Sequence, residues 1–283
     1  MKLRESCSAI GLITLSTFLI APPCAEATGR NEFGYACETC PTAWAALRPE
    51  FEACFLGTMQ SPIAIGGRGT RRGEKPALAV RFEESDFEVV RPNTTNFEAE
   101  AEAGTRMGIT IGDTEYELLQ FHFHSLSEHL MNGERFPLEA HFVHRTGDGG
   151  LAVLGMFIEE GDENEEIEKL IDILGEVEDL EVGQHTELDD FDPRELLPGD
   201  LSTSRYLGST TTPPCVEGVQ WLLLKKRTEM SRSQIHDIQD VIRNYNDGFD
   251  NNRPVQSRDG RLVKRVLDRD DDSDSGDSDS GSD

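Results

Sequence analysis

Two stretches, Phe121-His122-Phe123-His124 and Glu139-Ala140-His141, decide how the rest of this chain is interpreted. Successive side chains of a β-strand point to opposite faces of the sheet. A strand from Tyr116 to His124 therefore places on one face Leu118, Gln120, His122 and His124. The other, apolar face then carries Leu119, Phe121 and Phe123. The alternation predicts a strand with one histidine face and one phenylalanine face.

A second strand is predicted from Leu138 to His144, in which His141 shares a face with Glu139 and Val143. If the two strands pair side by side, three imidazoles meet at one point. Three neutral imidazoles with a fourth position left open form the ligand set of a catalytic zinc ion, which suits nitrogen donors in a tetrahedral arrangement. The alternative is that all three are ordinary buried strand histidines.

Polar neighbours of the histidines favour the metal site over a structural core. Gln120 lies two residues before His122 and Glu139 two before His141, so each shares a strand face with its histidine. A zinc-bound imidazole usually donates its second N–H group to a carboxylate, amide or carbonyl. A buried carboxylate beside three neutral rings is costly in a structural core, whereas a divalent cation compensates it.

Residues 1–27 are predicted to be a secretory signal peptide. Lys2 and Arg4 precede an apolar run over 9–21, and Ala25-Glu26-Ala27 matches a small-residue cleavage site. The apolar run is too short to span a membrane, and no later stretch is long enough. We therefore expect an exported protein without a membrane span, located in the periplasm, at the cell surface or outside the cell.

Four cysteines remain once the signal peptide is removed: Cys37, Cys40, Cys54 and Cys215. An even number of cysteines in an exported chain indicates disulfide bonds, here with three possible pairings. A local Cys37–Cys40 bridge would leave Cys54 to pair with Cys215 across a long loop. A redox motif is disfavoured because no β-α-β pattern surrounds Cys37, and a zinc ribbon would need a second C-x-x-C pair.

The formal net charge of −27 argues against anionic binding partners. From Asp268 to Asp283 there are eight Asp and one Arg, so this segment contributes −7 and the remainder −20. Such a field repels nucleic acid and anionic membrane surfaces. It is also one way to stay soluble in strong salt, where screening removes the self-repulsion. Salt adaptation is therefore a hypothesis, tested by whether stability rises with salt concentration.

The remaining pattern predicts one β-dominated domain over residues 28–266. Short alternating runs and the apolar run 151–157 predict strands. Helices are predicted over Asn164–Leu174 and Ser231–Tyr245, the second capped by Ser231 or Ser233. Residues 267–283, a repeat of Asp, Ser and Gly, cannot bury a core and are predicted to be a disordered tail.

The sequence resembles the α-class carbonic anhydrases over about residues 33–263. The stretches that carry the resemblance are 60–63, 120–124, 127–129, 139–144, 151–157, 197–200, 208–214 and 252–256. The resemblance implies a mainly β (α+β) single domain. In that domain a large, mostly antiparallel twisted sheet is flanked by short helices.

The resemblance also implies a reaction, the reversible hydration of CO₂ to bicarbonate and a proton by zinc-bound hydroxide. Zinc would be held by His122, His124 and His141, with water or hydroxide in the fourth position. Thr211 would accept the hydroxide's proton and donate its own to Glu128, so that a hydroxide lone pair faces CO₂. In this family zinc lowers the pKa of bound water to about 7, a family value rather than one measured for this chain.

The same resemblance assigns the surroundings of the metal. The apolar wall for CO₂ and the positions beside it would be Val143, Val153, Thr210, Thr212, Val219 and Trp221, where Thr210 replaces the usual Leu. The backbone N–H of Thr211 would receive bicarbonate or the oxygen of a sulfonamide or anionic inhibitor. Gln120 and Glu139 occupy the positions that support the zinc ligands.

Two further assignments rest on the resemblance. Cys54 and Cys215 match the disulfide of exported members, whereas Cys37 and Cys40 are an addition. His129 and His144 are interpreted as structural histidines, hydrogen-bonded in the core.

The sequence departs from the family at the proton exit. Fast members carry a shuttle histidine at a position that falls within 91–97, and this segment contains none. Thr95 occupies the place, or Thr94 or Asn96 if the alignment shifts by one residue, and none of them titrates near pH 7. We therefore expect no proton-shuttle residue and a dependence on external buffer.

Two alternative functions compete with the enzyme. A non-catalytic calcium-binding, mineral-binding or matrix protein could act through the acidic surface and tail, since carboxylates bind Ca²⁺. The tail has no ordered loop for that ion, however, and all three zinc histidines are present. A zinc esterase lacks a recognisable pocket for a larger acyl group.

Overall fold

A computed structural model of the chain describes residues 33–66, 70–73, 78–102 and 104–268. The predicted signal peptide 1–27 and residues 269–283 of the predicted tail lie outside the described residues.

The described residues are mainly strands, with short helices at the periphery. The strands are β1 (Ala64–Ile65), β2 (Thr70–Arg72), β3 (Leu78–Arg81), β4 (Ser85–Val90), β5 (Glu98–Ala101), β6 (Gly108–Ile111), β7 (Thr114–Ser125), β8 (Leu130–Met131), β9 (Leu138–Arg145), β10 (Leu151–Glu160), β11 (His185–Phe191), β12 (Thr203–Ser209), β13 (Glu217–Leu224), β14 (Thr228–Met230) and β15 (Val263–Val266). The α-helices are α1 (Trp44–Leu47), α2 (Ala53–Leu56), α3 (Glu165–Asp179) and α4 (Arg232–Tyr245). Short 3₁₀ turns span Cys37–Thr39, Pro49–Phe51 and Pro193–Leu196.

Within the described residues, thirteen strands form one sheet in the order β11-β4-β5-β7-β9-β10-β13-β12-β15-β2, with β14 beside β10 and β6 joining β3 to β7. Most of its pairs are antiparallel; the parallel ones join β10 to β13, β10 to β14 and β15 to β2. This confirms the expected large, mostly antiparallel sheet. No helix among the described residues is long and apolar enough to cross a membrane.

The two faces of the sheet are covered differently. On one face, Phe121 and Phe123 of β7 pack with Phe142 of β9 in the main core cluster, which includes Ile167 of α3 and Ile238 of α4. Burial of these helical stripes is what holds α3 and α4 on the sheet. The histidine face is lined by a smaller apolar cluster and is left for loops to cover.

Both long helices begin where the sequence predicts. Asn164 caps α3, its side chain accepting from the N–H groups of Glu166 and Ile167. Ser231 caps α4 through a reciprocal capping box with Gln234. Each cap satisfies backbone donors that have no partner within the first turn.

One part of the predicted alternation in β7 is wrong. The register between β7 and β9 shifts between Leu118 and Gln120, because Leu119 is an extra residue that forms a β-bulge. Leu118 is consequently buried in the main core with Phe121 and Phe123, not on the histidine face. After the bulge the alternation holds, with Gln120, His122 and His124 in phase.

Candidate metal centre

The three predicted histidines meet because β7 and β9 pair as antiparallel neighbours. His122 lies opposite His141, and His124 lies opposite Glu139. The ring centroids are 5.0 Å apart for His122 and His124, 5.2 Å for His122 and His141, and 4.6 Å for His124 and His141. One ring nitrogen from each lies within 4.8 Å of the other two.

Each ring has one nitrogen occupied by a partner outside the triad. His122 Nδ1 lies 2.8 Å from Gln120 Oε1, and His141 Nε2 lies 2.8 Å from Glu139 Oε1. His124 Nδ1 lies 2.8 Å from the backbone oxygen of Asn251. All three partners are acceptors, so these nitrogens carry the protons. The lone pairs then reside on His122 Nε2, His124 Nε2 and His141 Nδ1.

The arrangement fits a tetrahedral zinc ion. Ligands at about 2.0–2.1 Å from such an ion lie about 3.3–3.4 Å apart, and His122 Nε2 and His124 Nε2 are 3.2 Å apart. Burial, with the neighbouring rings of His124 and His141, holds the pKa of His122 well below its usual 6.5. Burial also lowers the pKa of His124. These two rings therefore stay neutral, as metal ligands must be.

Glu139 links the triad to a buried hydrogen-bond network. Its Oε1 atom lies 2.7 Å from His129 Nδ1, and its Oε2 atom accepts from the His129 backbone N–H at 2.9 Å. His129 Nε2 lies 2.6 Å from the hydroxyl of Tyr206, which lies 2.7 Å from Ser61 Oγ. Burial alone would raise the pKa of Glu139, but His129 and His141 outweigh it and hold this pKa well below 4.5.

Glu128 is fully buried beside the triad, and only one of its two carboxylate oxygens accepts a hydrogen bond from a described residue. Its Oε1 atom accepts from the backbone N–H of Arg253 at 2.8 Å, whereas Oε2 has no hydrogen-bond partner among the described residues. That orphaned oxygen lies 3.5 Å from His124 Nε2. Thr211 is nearly buried and lines the same cavity as the triad, but no hydrogen bond joins it to Glu128 within the part of the chain described. An unpaired buried carboxylate oxygen indicates a missing donor or ion.

The triad opens into a cavity of about 150 Å³. The predicted wall residues all line it: Val143, Val153, Thr210, Thr212, Val219 and Trp221. The hydroxyl of Thr210 is bonded within its own loop, since it donates to Thr212 O at 3.0 Å and accepts from Val216 N–H at 3.1 Å. Because this hydroxyl is already hydrogen-bonded, the replacement of Leu by Thr adds little polarity to the wall.

Comparison with known proteins decides the family. A family model described as eukaryotic-type carbonic anhydrase matches residues 39–267. The chain belongs to the α-carbonic anhydrase family.

Individual carbonic anhydrases resemble this one over most of its length. It is 34% identical to α-carbonic anhydrase 3 of Arabidopsis thaliana over 227 residues, 79% of each chain. It is also 34% identical to a carbonic anhydrase of Neisseria gonorrhoeae, covering 82% of this chain and 87% of the relative. The solved complex of Thermovibrio ammonificans α-carbonic anhydrase with sulfanilamide is 38% identical, with a TM-score of 0.75. That match covers 83% of this chain and all of that one. The protein is thus an enzyme of the carbonic anhydrase type.

In this carbonic anhydrase a disulfide fixes the loop that carries Thr211. Cys54 of α2 is bonded to Cys215, as expected. Gln60 Nε2 also donates to Cys215 O at 3.1 Å. The expected Cys37–Cys40 bridge is wrong: Cys40 is a free cysteine whose sulfur lies 3.2 Å from Thr42 Oγ1. The C-x-x-C spacing of Cys37 and Cys40 permits a bridge but does not require one.

Of the two histidines predicted to be structural, only His129 is hydrogen-bonded. His144 is buried on the opposite face of β9, stacked on Phe82, and neither ring nitrogen has a hydrogen bond of normal geometry to any residue that the structure describes. Burial lowers its pKa to about 3, against a small opposing effect from the backbone of Phe142 and Ala152.

Several site residues escaped sequence reasoning. Asn251 acts through its backbone oxygen, which no side-chain pattern reveals. Arg253, within the quoted stretch 252–256, is buried and donates to Gln60 Oε1 at 2.9 Å as well as holding Glu128. Glu98 lines the metal cavity. Burial and then Glu100 raise the pKa of Glu98 to about 7, against a hydrogen bond with Gln120.

Proposed function

We propose that this carbonic anhydrase hydrates CO₂ reversibly to bicarbonate and a proton, with a zinc ion held by His122 Nε2, His124 Nε2 and His141 Nδ1. The observation that carries the proposal is the set of outward hydrogen bonds on the three rings, which leaves three lone pairs directed at one point. When bound there, zinc supplies the nucleophile, because in this family it lowers the pKa of bound water to about 7.

Thr211 and Glu128 orient that nucleophile. The Glu128 carboxylate can only accept hydrogen bonds, and Arg253 N–H already occupies one of its oxygens. If Thr211 donates its proton to the free oxygen, its own lone pairs are left to accept a proton from the nucleophile. One nucleophile lone pair is thereby turned towards the apolar wall. A small rotation of the Thr211 side chain on loading of the site would complete this chain of bonds.

The cavity wall receives the substrate. CO₂ carries no charge and no hydrogen-bond donor, so apolar surface beside the nucleophile suits it better than a polar anchor. Val143, Val153 and Val219 supply that surface, and Trp221 is held in place because its Nε1–H donates to Ser209 O at 2.9 Å. The same wall keeps competing water away from the reacting carbon.

Sulfonamides and anions are expected to inhibit. The related Thermovibrio enzyme was solved in complex with sulfanilamide, and the Thr211 backbone N–H would receive an inhibitor oxygen here. A compound of this class also reports on the metal, because it binds only when the site is loaded.

Stopped-flow CO₂ hydration, with zinc content measured on the same sample, tests the proposal. His141→Ala should lose zinc and activity, whereas Thr211→Ala should keep zinc and lose rate. His236→Ala, a change at an exposed histidine of α4, should leave both at the parental level. A folded parent without zinc or activity would overturn the proposal and favour a binding protein that acts through its acidic surface. A Thr211→Ala variant at the parental rate would refute the orienting role alone.

We further propose that the protein is exported and salt-tolerant. The Cys54–Cys215 bond supports export, since disulfides persist in oxidising compartments. The net charge supports salt tolerance. An exported form that begins after Ala27, and a free energy of unfolding that rises with salt, are the expected measurements. A form that retains residues 1–27, or stability indifferent to salt, would contradict the corresponding proposal.

A further inference from the structure

A second cavity, of about 500 Å³, lies apart from the metal site and shares no lining residue with it. It forms where β2 pairs with β15 at one edge of the large sheet. The residues that line it are Ile65, Gly66, Thr70, Arg71, Arg72, Met131, Asn132, Ser204, Lys225, Arg265 and Leu267.

The charge of this cavity is opposite to that of the chain. Its basic lining residues are Arg71, Arg72, Lys225 and Arg265. None of its described lining residues is acidic, although the chain has 54 acidic and 27 basic residues. Parallel pairing of β2 and β15 brings a further cation, Lys264, level with Arg71. Like charges side by side on neighbouring strands repel one another, so an anion bound here would relieve the repulsion.

Two arginines and one hydroxyl are available to such an anion. Arg71 and Arg265 are exposed, and neither pairs with a carboxylate that the structure describes. The Oγ1 atom of Thr70 is buried without a described hydrogen-bond partner. Guanidinium groups bind carboxylates in a planar, two-pronged geometry. The available groups therefore suit carboxylates.

The described part of the chain reaches this cavity immediately before an acidic segment of the sequence. Leu267 lines it, and Asp268 is fixed next to it. Its N–H donates to Ser202 Oγ at 2.9 Å, and its carboxylate accepts from Leu201 N–H at 3.1 Å. The segment 269–283 continues from this point and contains seven Asp, five Ser and one Arg, a net charge of −6.

We propose that the acidic segment 270–283 binds in this cationic cavity, its aspartates pairing with Arg71 and Arg265. Fifteen residues beyond Asp268 reach about 50 Å when extended, far more than is needed. Their tether keeps them at an effective concentration of the order of millimolar. A free polyanion must instead approach a protein whose net charge is −27, which opposes its association. The tethered segment is the favoured occupant for that reason.

Each ion pair between the acidic segment and the cavity is weak, so binding depends on several ion pairs together. Exposed ion pairs contribute little individually and are screened by salt. Docking should therefore be strongest at low ionic strength and should loosen as salt rises. The acidic segment then covers the cationic edge of the sheet in dilute buffer and leaves it in brine.

Zero-length carbodiimide coupling on the full chain tests this, because it joins a carboxylate to a lysine amine that it contacts. Lys225 lines the cavity, and Lys264 lies on β15 level with the lining residue Arg71. We expect coupling of aspartates from 270–283 to these two lysines at low salt, mapped by mass spectrometry. The yield should fall about tenfold in the double variant Arg71→Glu with Arg265→Glu, the size expected for losing a few exposed ion pairs.

The matched control is Arg106→Glu with Arg145→Glu, which changes the charge equally at exposed positions away from the cavity. It should retain the parental yield. Coupling that is equal in both double variants, or spread evenly over lysines elsewhere, would overturn the proposal. An absence of coupling in the parental protein would also overturn the proposal. A mixture of ¹⁵N-labelled and unlabelled chain distinguishes the source, because coupling between labelled and unlabelled molecules would assign the cavity to a second copy.

Discussion

Cys215, bonded to Cys54, follows Thr211 by four residues. The bond closes a separation of 161 residues and anchors the loop between β12 and β13 to α2. The loop that carries Thr211, the residue proposed to orient the nucleophile, is therefore fixed by a bond to a helix outside the sheet.

Removal of this disulfide should lower both stability and rate. Replacing Cys54 and Cys215 by Ala should cost about 2–5 kcal/mol of unfolding free energy, because a long closed loop constrains the unfolded chain. CO₂ hydration should fall more than zinc content does, since Thr211 is released and the ligands are not. Denaturant unfolding and stopped-flow rates measure the two effects. Cys40→Ser, at a free cysteine, serves as the control and should match the parent.

Weakening the support of His141 should weaken zinc binding. Glu139→Gln keeps an acceptor for His141 Nε2 but removes the charge that His129 and His141 share. We expect about 10–100-fold lower zinc affinity, typical of losing such a partner, measured by competition with a chelator. Glu115→Gln, an exposed change on the neighbouring strand β7, should have no effect. Equal affinities in the two variants would show that Glu139 does not support the metal.

The buried His144 should make the fold acid-sensitive. Its pKa is about 3 in the fold against 6.5 when unfolded, so between these values the unfolded state binds more protons. Stability is then lost as pH falls below 6.5, by about 2 kcal/mol at pH 5. His144→Phe preserves the stacking on Phe82 and should remove that share of the loss in unfolding experiments from pH 7 to 4. His236→Phe should retain the parental slope, and an unchanged slope in His144→Phe would refute the assignment.

Turnover should depend on buffer concentration, because 91–97 offers no histidine. The carboxyl of Glu98 is the titratable group that the structure adds to this picture, since it lines the cavity with a pKa of about 7. Glu98→Gln should lower the CO₂ hydration rate severalfold in dilute buffer and reach the parental plateau in concentrated buffer. Glu102→Gln, an exposed change, should follow the parent throughout. Parental turnover insensitive to buffer would contradict the expectation.

The histidine triad of the candidate metal centre could be predicted from sequence because its parts are local. His122 and His124 are separated by two residues, as are Gln120 and His122, so strand alternation alone placed them together. The opposition of His122 and His141 followed once two strands were assumed to pair. Helix starts at Asn164 and Ser231 were equally local, because a cap acts on the turn that follows it.

Features that depend on long-range contact escaped prediction. The backbone oxygen of Asn251 reaches His124 from 127 positions away, and a backbone group leaves no trace in the residue pattern. The unpaired Oε2 of Glu128 and the state of Cys40 depend on where loops settle. Alternation also failed at Leu119, since a bulge adds a residue without changing composition.

The bulge at Leu119 also sets where this fold can tolerate a change in length. One residue there lacks an opposite partner, so the β6–β7 hairpin is not locked in phase with the histidines. A residue gained or lost at the Gly112 turn lies before the pairing of β7 with β9, which begins at Glu117. The same change between His122 and His124 would turn one ring to the opposite face. Natural insertions and deletions should therefore lie on the hairpin side of Leu119. On the other side of Leu119, the number of residues between the histidines should stay fixed.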